Sequence, residues 1–322
     1  MIEKFIIQWH ITHLCNLRCV HCYQEEYQCH MPKENFYTIV DKLELFLQDK
    51  NVMPQINLTG GEPLLHPDFF EFASVIRQRK IKLGILTNGT LIDDAMAKKI
   101  SELKPVFVQI SLDGIEKTHD LIRGPGNFQK ALKGIALLKK YKIKVLVSFT
   151  AQKGNYTEFA ELAKICKQYH VDKFWWDRVV SDDPNLYLTS DEFQQVVLTC
   201  NKLIHNKNPF LNYSFVSNGR SLQCLGTRDC GYHCGAGKSL LIITADGSVM
   251  PCRRLPFVVG NLLADDVLDI YNHPTMKELA NFVSPKECRN CKDFMRCKGG
   301  AKCVTYAQTG DWKRKDINCP FE

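Results

Sequence analysis

Three cysteines lie within eight residues near the start of this chain, and they restrict its chemistry more than any other feature. Cys15, Cys19 and Cys22 are spaced so that one compact loop could direct all three thiols at a single centre. Thiolates are the usual ligands of iron–sulfur clusters, and three of them would leave one iron of a four-iron cluster open to a further ligand. The alternative is a structural zinc site, which normally closes with four ligands. His13 or His21 could supply the fourth.

The total of fifteen cysteines among 322 residues does not indicate a disulfide framework. The count is odd, and residues 1–11 lack the basic stretch, long apolar run and small-residue cleavage site of a secretory signal. Disulfide frameworks belong to oxidising compartments. We therefore expect a cytoplasmic protein whose cysteines mostly bind metal. No apolar run is long enough for a membrane span, so no membrane partner is expected.

The net charge of +7 is spread along the chain. The densest basic groups, residues 139–144 and 313–315, do not interleave aromatic residues as a nucleic-acid platform would. We interpret them as solvated faces and expect no nucleic-acid partner. A mildly basic surface could still attract an acidic peptide.

Short apolar stretches alternate with helical apolar spacing over the first two thirds of the chain. The predicted strands are 5–11, 55–59, 82–88, 106–113, 143–151 and 173–180. The predicted helices are 34–48, 69–80, 93–103, 127–141, 155–169 and 190–204, with Asn155 and Ser190 as N-caps. This alternation predicts an α/β fold with a parallel sheet and helical crossovers. Six steps are too few for a closed eight-stranded barrel and favour a partial (β/α)6 barrel, with its chemistry at the carboxyl ends of the strands.

The rhythm of strands and helices breaks after about residue 205, where cysteines become dense. Residues 240–252 predict a hairpin, because Asp246-Gly247 between two apolar runs is a strong signal for a two-residue turn. We therefore divide the chain into a barrel domain, 1–205, and a small cysteine-rich domain, 206–322.

A second motif, Gly60-Gly61-Glu62-Pro63, directly follows the second predicted strand. Glycines let a backbone approach a ligand closely, and the carboxylate of Glu62 could accept a hydrogen bond from an amine. The alternative is a tight turn with a solvent-facing glutamate.

Together the cysteine loop and this motif resemble the radical S-adenosylmethionine (SAM) superfamily, whose CX3CXφC pattern is matched with His21 at the aromatic position. The resemblance implies that SAM chelates the open iron of a [4Fe-4S] cluster and is cleaved to a 5′-deoxyadenosyl radical. It also implies SAM-binding roles for residues 60–63 and for the backbone near His21. Further matches at the ends of the third and fourth predicted strands extend the SAM site to Asn88, Ser111, Asp113 and Arg123. For Arg123, the alternative is a helix cap or a surface ion pair.

The cysteines of the last third resemble the SPASM extension, which binds auxiliary iron–sulfur clusters. Its seven cysteines match Cys234, Cys252, Cys288, Cys291, Cys297, Cys303 and Cys319, although five residues rather than the usual three separate Cys297 from Cys303. The resemblance implies one [4Fe-4S] cluster on Cys288, Cys291, Cys297 and Cys319. It implies a second on Cys234, Cys252 and Cys303, with Cys224 or Cys230 as fourth ligand or with one iron open. A zinc-ribbon-like site is the alternative, since paired cysteines also suit zinc.

Several cysteines fall outside these sets. Cys166 and Cys200 lie in predicted helices and are expected to be small core residues, and Cys29 has no assigned role. Cys224 and Cys230 are candidate catalytic residues, because a thiol near the active site could return a hydrogen atom to a substrate radical and invert a centre. Their alternative is a cluster ligand or a spare cysteine.

Relatives of this architecture mature sulfatases, modify ribosomal peptides or act on small cofactors. Sulfatase-maturing relatives carry an aspartate just after the cysteine that corresponds to Cys252, and Arg253 stands there in this chain. We therefore expect an enzyme that forms a cross-link, a thioether or an inverted centre on a ribosomally made peptide. The loop begins at Cys15, so we expect leader recognition by a separate protein or by the barrel surface, and an electron donor such as flavodoxin or ferredoxin.

Two other hypotheses remain open from the sequence. One is a radical SAM enzyme of small-molecule or cofactor biosynthesis, which a cofactor operon would favour, whereas a neighbouring short reading frame would favour the peptide. The other is a non-catalytic iron–sulfur redox protein, which would be unable to cleave SAM.

Overall fold

The first two thirds of the chain fold as repeated strand–helix units, as the periodicity predicts. The computed structural model describes residues 4–24, 27–206, 213–218 and 234–321. The strands of this part are β1 Lys4–Thr12, β2 Met53–Gly60, β3 Lys82–Thr87, β4 Phe107–Ser111, β5 Val145–Ala151 and β6 Lys173–Arg178. Its helices are α1 Lys33–Asp49, α2 Phe69–Gln78, α3 Asp94–Glu102, α4 Glu116–Arg123, α5 Asn127–Lys140, α6 Phe159–Gln168 and α7 Ser190–Ile204. The apolar spacing missed α4, since only His119 and Ile122 of its eight residues are buried.

The last third contributes shorter elements. Its strands are β7 Val216–Ser217, β8 Leu240–Ile243, β9 Ser248–Met250 and β10 Gly260–Asn261. Its helices are α8 Val267–Tyr271, α9 Pro274–Asn281, α10 Phe294–Cys297 and α11 Lys302–Thr309. Within the described ranges, every helix is too short or too polar to span a bilayer.

The described strands form one sheet in the order β10–β9–β8–β1–β2–β3–β4–β5–β6–β7. Strands β1 to β7 are parallel neighbours in chain order, which confirms the predicted partial (β/α)6 barrel. The sequence did not indicate that β8 would pair in parallel with β1, where Ile6 faces Leu240 and Trp9 faces Ile243. The cysteine-rich region therefore extends the sheet of the barrel. The division at residue 205 stays a prediction.

Alternate strand residues give the sheet one apolar and one polar face. On β1, Ile7, Trp9 and Ile11 are buried against the helices, and Trp9 stacks on Phe36 of α1 with 4.8 Å between ring centroids. The intervening positions form the inner face, among them Gln8, Gln109, Ser111, Ser148, Trp175 and Asp177. These inner side chains are partly exposed. The polar face is therefore available for a ligand.

Two predicted helix caps are wrong. Asn155 is fully buried and donates from Nδ2 to the carbonyl oxygens of Asp113 at 3.1 Å and Thr150 at 2.9 Å, so its side chain does not cap α6. On α7 the cap is Thr189. Its hydroxyl accepts from the Glu192 N–H at 3.2 Å, and the Glu192 carboxylate accepts from the Thr189 N–H at 2.8 Å. This reciprocal capping box needs a glutamate three residues after the cap, a position that Ser190 does not offer.

The predicted hairpin over 240–252 is confirmed by the antiparallel pair β8 and β9, but its turn differs. The Gly247 N–H donates to the Thr244 carbonyl at 3.0 Å, and the Thr244 N–H donates to the Ser248 carbonyl at 2.9 Å. The loop therefore has three residues, Ala245 to Gly247. Loops of this length end in a left-handed residue, and Gly247 has φ +85°.

Candidate functional site

The loop that follows β1 carries the first three cysteines at the carboxyl edge of the sheet. Cys15 and Cys19 are partly buried, Cys22 is exposed, and all three thiols are free. Burial raises the pKa of the Cys15 thiol to about 11, and Cys19 and Cys22 are close enough to raise it further. The structure thus brings the three predicted ligands together at the predicted end of the strand.

Gly60 and Gly61 allow the end of β2 to pass against the start of this loop. The Gly61 N–H donates to the Thr12 carbonyl at 2.8 Å, and the Glu62 N–H donates to the Leu14 carbonyl at 2.7 Å. A Cβ on Gly60 would lie 2.2 Å from the Thr12 oxygen, and one on Gly61 would lie 2.3 Å from the Leu14 oxygen. The close approach that requires both glycines is therefore to the protein's own backbone, directly before Cys15.

The Glu62 side chain points into the protein, so the solvent-facing alternative is wrong. It is fully buried, and its carboxylate accepts from the Thr87 hydroxyl at 2.7 Å, the Asn88 N–H at 2.8 Å and the Leu64 N–H at 3.2 Å. Burial raises the pKa of Glu62 to about 7, although these hydrogen bonds act against the rise. The carboxylate therefore joins the ends of β2 and β3, and Pro63 opens the short turn that follows.

Asn88 fixes the cysteine loop from the end of β3. Its Nδ2 donates to the Asn16 side-chain oxygen at 2.9 Å, and the Asn16 amide donates to the Thr90 hydroxyl at 2.9 Å. The Thr90 N–H closes the set by donating to the Asn88 Oδ1 at 2.9 Å. Because Asn16 adjoins Cys15, this network positions the first cysteine.

Asp113, Arg123 and His21 meet behind the loop. Asp113 is fully buried, and its Oδ2 accepts from the Arg123 Nε at 2.6 Å and lies 3.5 Å from the His21 Nε2. Burial acts to raise the pKa of Asp113, but Arg123 and His21 outweigh it and hold that pKa below its usual value. The Arg123 Nη1 is 3.8 Å from the Cys19 Sγ. The ion pair of Arg123 is therefore buried, not superficial, and brings a cation to a predicted cluster ligand.

Ser111 lies on the inner face, one strand away from Ser148. The Ser148 hydroxyl donates to the Ser111 hydroxyl at 3.5 Å and lies 3.3 Å from the Gln109 Nε2. The Trp175 Nε1 donates to the Gln109 Oε1 at 3.1 Å. A row of neutral polar groups therefore crosses β4, β5 and β6 beside the predicted SAM position.

The outer cysteine group, Cys288, Cys291, Cys297 and Cys319, lines one small cavity. Cys288 and Cys297 are buried, and Cys291 and Cys319 are partly exposed. Burial raises the pKa of the Cys288 thiol to about 11, and the three other thiols add to the rise. The structure thus brings together the four cysteines predicted to share a cluster, including Cys319 from the distant C-terminal segment.

The inner cysteine group, Cys234, Cys252 and Cys303, lies near the end of β6. Burial raises the pKa of the Cys252 thiol to about 12, and Cys303 and Cys234 contribute to the rise. Arg254 reaches from this group to the barrel, where it pairs with Asp177 and donates to the carbonyl of Arg178. Cys224 and Cys230 lie outside the described residues.

Arg178 links the barrel to the outer group through a buried ion pair. Its Nη1 and Nη2 donate to the two carboxylate oxygens of Asp316, each at 2.7 Å, and Nη1 also donates to the Asn318 side chain at 2.7 Å. Arg178 and Asp316 are 3% and 2% exposed, and Asp316 lines the cavity of the outer group.

Sequence reasoning missed Arg178, Asp316, Arg254 and the position of Asp177. Strand alternation gives a signal for Asp177, which follows Trp175 on the inner face. Nothing local to residue 178 or 316 indicates that they pair. As predicted, Cys166 and Cys200 are buried in the core.

Among the residues that the structure describes, no three His, Cys, Asp or Glu side chains are close enough to hold one metal ion between them. Ligands of an iron–sulfur cluster each bind a different iron atom, so they need not converge to that degree.

Comparison with known families agrees with this arrangement. The model for the radical SAM superfamily matches residues 9–172, half of the chain. This chain belongs to the radical SAM superfamily. The model for SPASM, an iron–sulfur cluster-binding domain, matches residues 234–292 of this chain. SAM and iron–sulfur clusters are therefore its cofactors.

Two curated relatives of this radical SAM protein have different roles. It is 32% identical over 219 residues to Fe-coproporphyrin III synthase of Methanosarcina barkeri, a match that takes in 64% of this chain and 53% of that protein. The match thus spans about half the length of that relative. It is 28% identical over 329 residues to the antilisterial bacteriocin subtilosin biosynthesis protein AlbA of Bacillus subtilis, covering 95% of this chain and 69% of that protein.

A solved structure, native anSMEcpe with bound AdoMet and Cp18Cys peptide, aligns with a TM-score of 0.83 at 21% identity. The alignment covers 98% of this radical SAM chain and 94% of that one. At this identity the likeness shows a shared fold alone.

Proposed function

We propose that this radical SAM enzyme modifies a ribosomally made peptide, by a cross-link, a thioether or an inverted centre. The observation that carries the peptide assignment is the pairing of three arginines, Arg123, Arg178 and Arg254, with carboxylates at the carboxyl edge of the barrel. The reaction would take place in a reducing cytoplasm, with leader recognition by a separate protein or by the barrel surface.

In this proposal Cys15, Cys19 and Cys22 hold the catalytic cluster, and the two auxiliary groups hold the others. When bound, the catalytic cluster and SAM supply a 5′-deoxyadenosyl radical that removes a hydrogen atom from the substrate. The backbone of residues 60–63, with Asn88 and Ser111, would line the SAM site. Glu62 and the Asp113–Arg123 pair would hold the ends of the strands and the cysteine loop in fixed positions relative to each other. Cys224 and Cys230 remain candidates for returning a hydrogen atom.

Three arginines at this edge have carboxylate partners within the chain. Arg123 pairs with Asp113 at 2.6 Å, and Arg178 pairs with Asp316 at 2.7 Å. Arg254 pairs with Asp177. A porphyrin with several carboxylates would favour cations that are open to it, whereas a peptide backbone presents neutral donors and acceptors. Internally paired arginines therefore favour the peptide.

The inner face supports the same substrate. Gln109, Ser148 and Trp175 offer amide, hydroxyl and indole groups that are partly exposed. Such groups can exchange their mutual hydrogen bonds for bonds to a peptide without exposing a buried charge.

A second candidate is a radical SAM enzyme that acts on a porphyrin-type small molecule. The observation that favours it is the 32% identity to Fe-coproporphyrin III synthase. In that case we expect binding of Fe-coproporphyrin III to the anaerobically reconstituted protein.

The first experiment tests the chemistry that both candidates share. The protein is reconstituted anaerobically with iron and sulfide and then given dithionite and SAM, and 5′-deoxyadenosine is measured. We expect production by the wild type and none by the Cys15/Cys19/Cys22→Ala variant. Equal amounts from both proteins would contradict the assignment of the catalytic cluster.

The second experiment separates the substrates. The enzyme is coexpressed with each short open reading frame found in its gene neighbourhood, and the peptide mass and hydrogen exchange at any modified carbon are measured by mass spectrometry. A modified peptide that is absent with the triple variant supports the proposal. Formation of Fe-coproporphyrin III from a porphyrin-type precursor, together with an unmodified peptide, would favour the second candidate.

A further inference from the structure

A tight turn in the cysteine-rich region carries two adjacent arginines. The Leu255 N–H donates to the Cys252 carbonyl at 2.9 Å, so Arg253 and Arg254 occupy the two central positions of the turn. Leu255 is fully buried and Cys252 is partly buried, whereas both arginines are partly exposed. The ends of the turn therefore anchor it to the protein, and its centre presents two cations.

The two arginines contact opposite ends of the series of parallel strands. Arg254 pairs with Asp177 at the end of β6. The Arg253 guanidinium lies over the ring of Tyr23, 4.8 Å from its centroid, and Tyr23 directly follows Cys22 in the loop after β1. The turn therefore spans the carboxyl edge of the barrel between its first and sixth strands, beside the catalytic cysteine loop.

Arg253 differs from the other arginines of this edge in its partner. Arg123, Arg178 and Arg254 each pair with an aspartate, whereas Arg253, within the described ranges, contacts the Tyr23 ring and no carboxylate. A planar guanidinium that contacts an aromatic ring keeps N–H donors for an anion. One such cation suits a ligand with one carboxylate at this place.

His10 gives independent evidence for a ligand near Arg253. It follows Trp9 on β1, so strand alternation places it on the inner face, and it is only 5% exposed. Its Nε2 is buried and has no hydrogen-bond partner in the part of the chain that the structure describes, although buried polar groups are rarely left unpaired. Burial lowers the pKa of His10 to about 3, and Arg253 is close enough to contribute. The imidazole is therefore neutral and retains one N–H donor.

We propose that Arg253 and His10 bind one carboxylate of the peptide substrate beside the catalytic cysteine loop. The inference rests on the proposed function, because it takes the ligand to be a peptide. The carboxylate belongs to an aspartate or glutamate side chain or to the C-terminus of the peptide, which share this chemistry. Its oxygens accept charge-assisted hydrogen bonds from the guanidinium and a further bond from the imidazole. The site thereby selects peptides with a carboxylate at a fixed distance from the reacting residue.

The first measurement needs no peptide. The anaerobically reconstituted protein is treated with phenylglyoxal, which modifies arginines, in sodium acetate or in sodium chloride of the same ionic strength. Mass spectrometry of proteolytic fragments follows each arginine separately. We expect acetate to slow the modification of Arg253 severalfold and to leave that of Arg314, an exposed arginine outside the site, unchanged. An Arg253 that does not react, or that reacts equally in both salts, would overturn the carboxylate site.

The second measurement identifies the source of the carboxylate. The peptide that the wild type modifies is compared with its C-terminal amide and with forms in which single Asp or Glu residues are changed to Asn or Gln. We expect Arg253→Gln to raise the KM of the unaltered peptide on the order of tenfold, because a charge-assisted hydrogen bond is lost. The form without the bound carboxylate should have a high KM with the wild type and show no further rise with Arg253→Gln. Arg253→Lys should give an intermediate KM, and Arg314→Gln should match the wild type.

The outcomes separate this inference from the proposed function. Protection of Arg253 by acetate, with no peptide modified by the wild type, would contradict the peptide substrate and still support a carboxylate site. An equal rise in KM for every form of the peptide would overturn the role of Arg253 in recognising a carboxylate. Weaker SAM binding by Arg253→Gln would place the arginine at the cofactor and overturn that role as well.

Discussion

The carboxylate of Glu62 is buried without a cation bonded to it, although it ends a strand at a polar edge. Three neutral donors surround it, and burial raises its pKa to about 7 from an ordinary value of 4.5. The folded protein therefore holds the proton more tightly than the unfolded chain. The stabilisation that results is complete below pH 4.5 and is lost as the pH rises to about 7.

Glu62→Gln should remove this pH dependence, because the amide stays neutral. A pKa difference of this size corresponds to about 3 kcal/mol. We expect the variant to be less stable than the wild type by a margin that shrinks by about that amount between pH 4.5 and pH 8. Anaerobic urea unfolding of both cluster-free proteins at each pH measures this difference in unfolding free energy.

Glu71→Gln is the matched control for this titration. Glu71 binds Lys33 and Tyr37 at the surface, and the hydrogen bond from Lys33 lowers its pKa. A lowered carboxyl pKa adds stability as the pH rises above 4.5, so the margin between this variant and the wild type should not shrink across the range. Parallel pH curves for the wild type and Glu62→Gln would contradict the buried titration.

Gly61→Ala should displace the cysteine loop, because a Cβ would lie 2.3 Å from the Leu14 oxygen. Overpacking of this kind costs about 1–3 kcal/mol, and we also expect less iron per chain after reconstitution. Gly154→Ala is the control, since nothing lies within 4 Å of its Cβ. It should be neutral or stabilise the protein by up to about 1 kcal/mol. A full iron content in Gly61→Ala would show that the loop tolerates the shift.

At the residue scale, the sequence was sufficient to predict which cysteines group together, because ligand spacing is local or matches a known pattern. It could not predict the direction of Glu62 or the partner of Arg123. Those depend on donors and carboxylates from other strands, which come close only after the sheet forms.

At the scale of elements, the capping of α7 gives the clearest test of a corrected prediction. Thr189 and Glu192 form the capping box, whereas the Ser190 hydroxyl donates to the distant Ile317 carbonyl at 3.3 Å. Thr189→Ala should therefore cost about 1 kcal/mol of unfolding free energy, and Ser190→Ala clearly less. Urea unfolding of both variants at one pH measures the two losses. The reverse order would restore Ser190 as the cap.

The strands β1 to β6 and their crossovers could be predicted because buried parallel strands and amphipathic helices have distinct periodicities. Helix α4 could not, since it buries too few residues to show a period. The pairing of β8 with β1 could not be predicted from the sequence either. Its partners lie more than two hundred residues apart, and no local pattern specifies such a contact.

At the scale of the whole molecule, the Arg178–Asp316 pair joins β6 to the C-terminal segment. Arg178→Met would leave Asp316 buried without its cation, which typically costs 3–5 kcal/mol. We expect a loss of about that size in urea unfolding. We also expect faster proteolysis of the C-terminal segment.

Two variants make this prediction specific. Lys313→Met removes a cation from an exposed pair with Glu278 and should cost far less than Arg178→Met, because solvent screens exposed pairs. The double variant Arg178→Met/Asp316→Leu removes both buried charges and should recover part of the loss. Equal stabilities of Arg178→Met and Lys313→Met would contradict the link between barrel and C-terminal segment.

The pairing of β8 with β1 also has a consequence for the newly made chain. β1 leaves the ribosome well before β8, its second neighbour, which begins only at Leu240. At 5–20 residues per second, that neighbour follows roughly ten seconds or more later. During this interval the backbone of Ile6 to Trp9 has an unpaired edge, and unpaired edges recruit other strands. The nascent barrel would thus depend on chaperones or fast translation until the last third of the chain has been made.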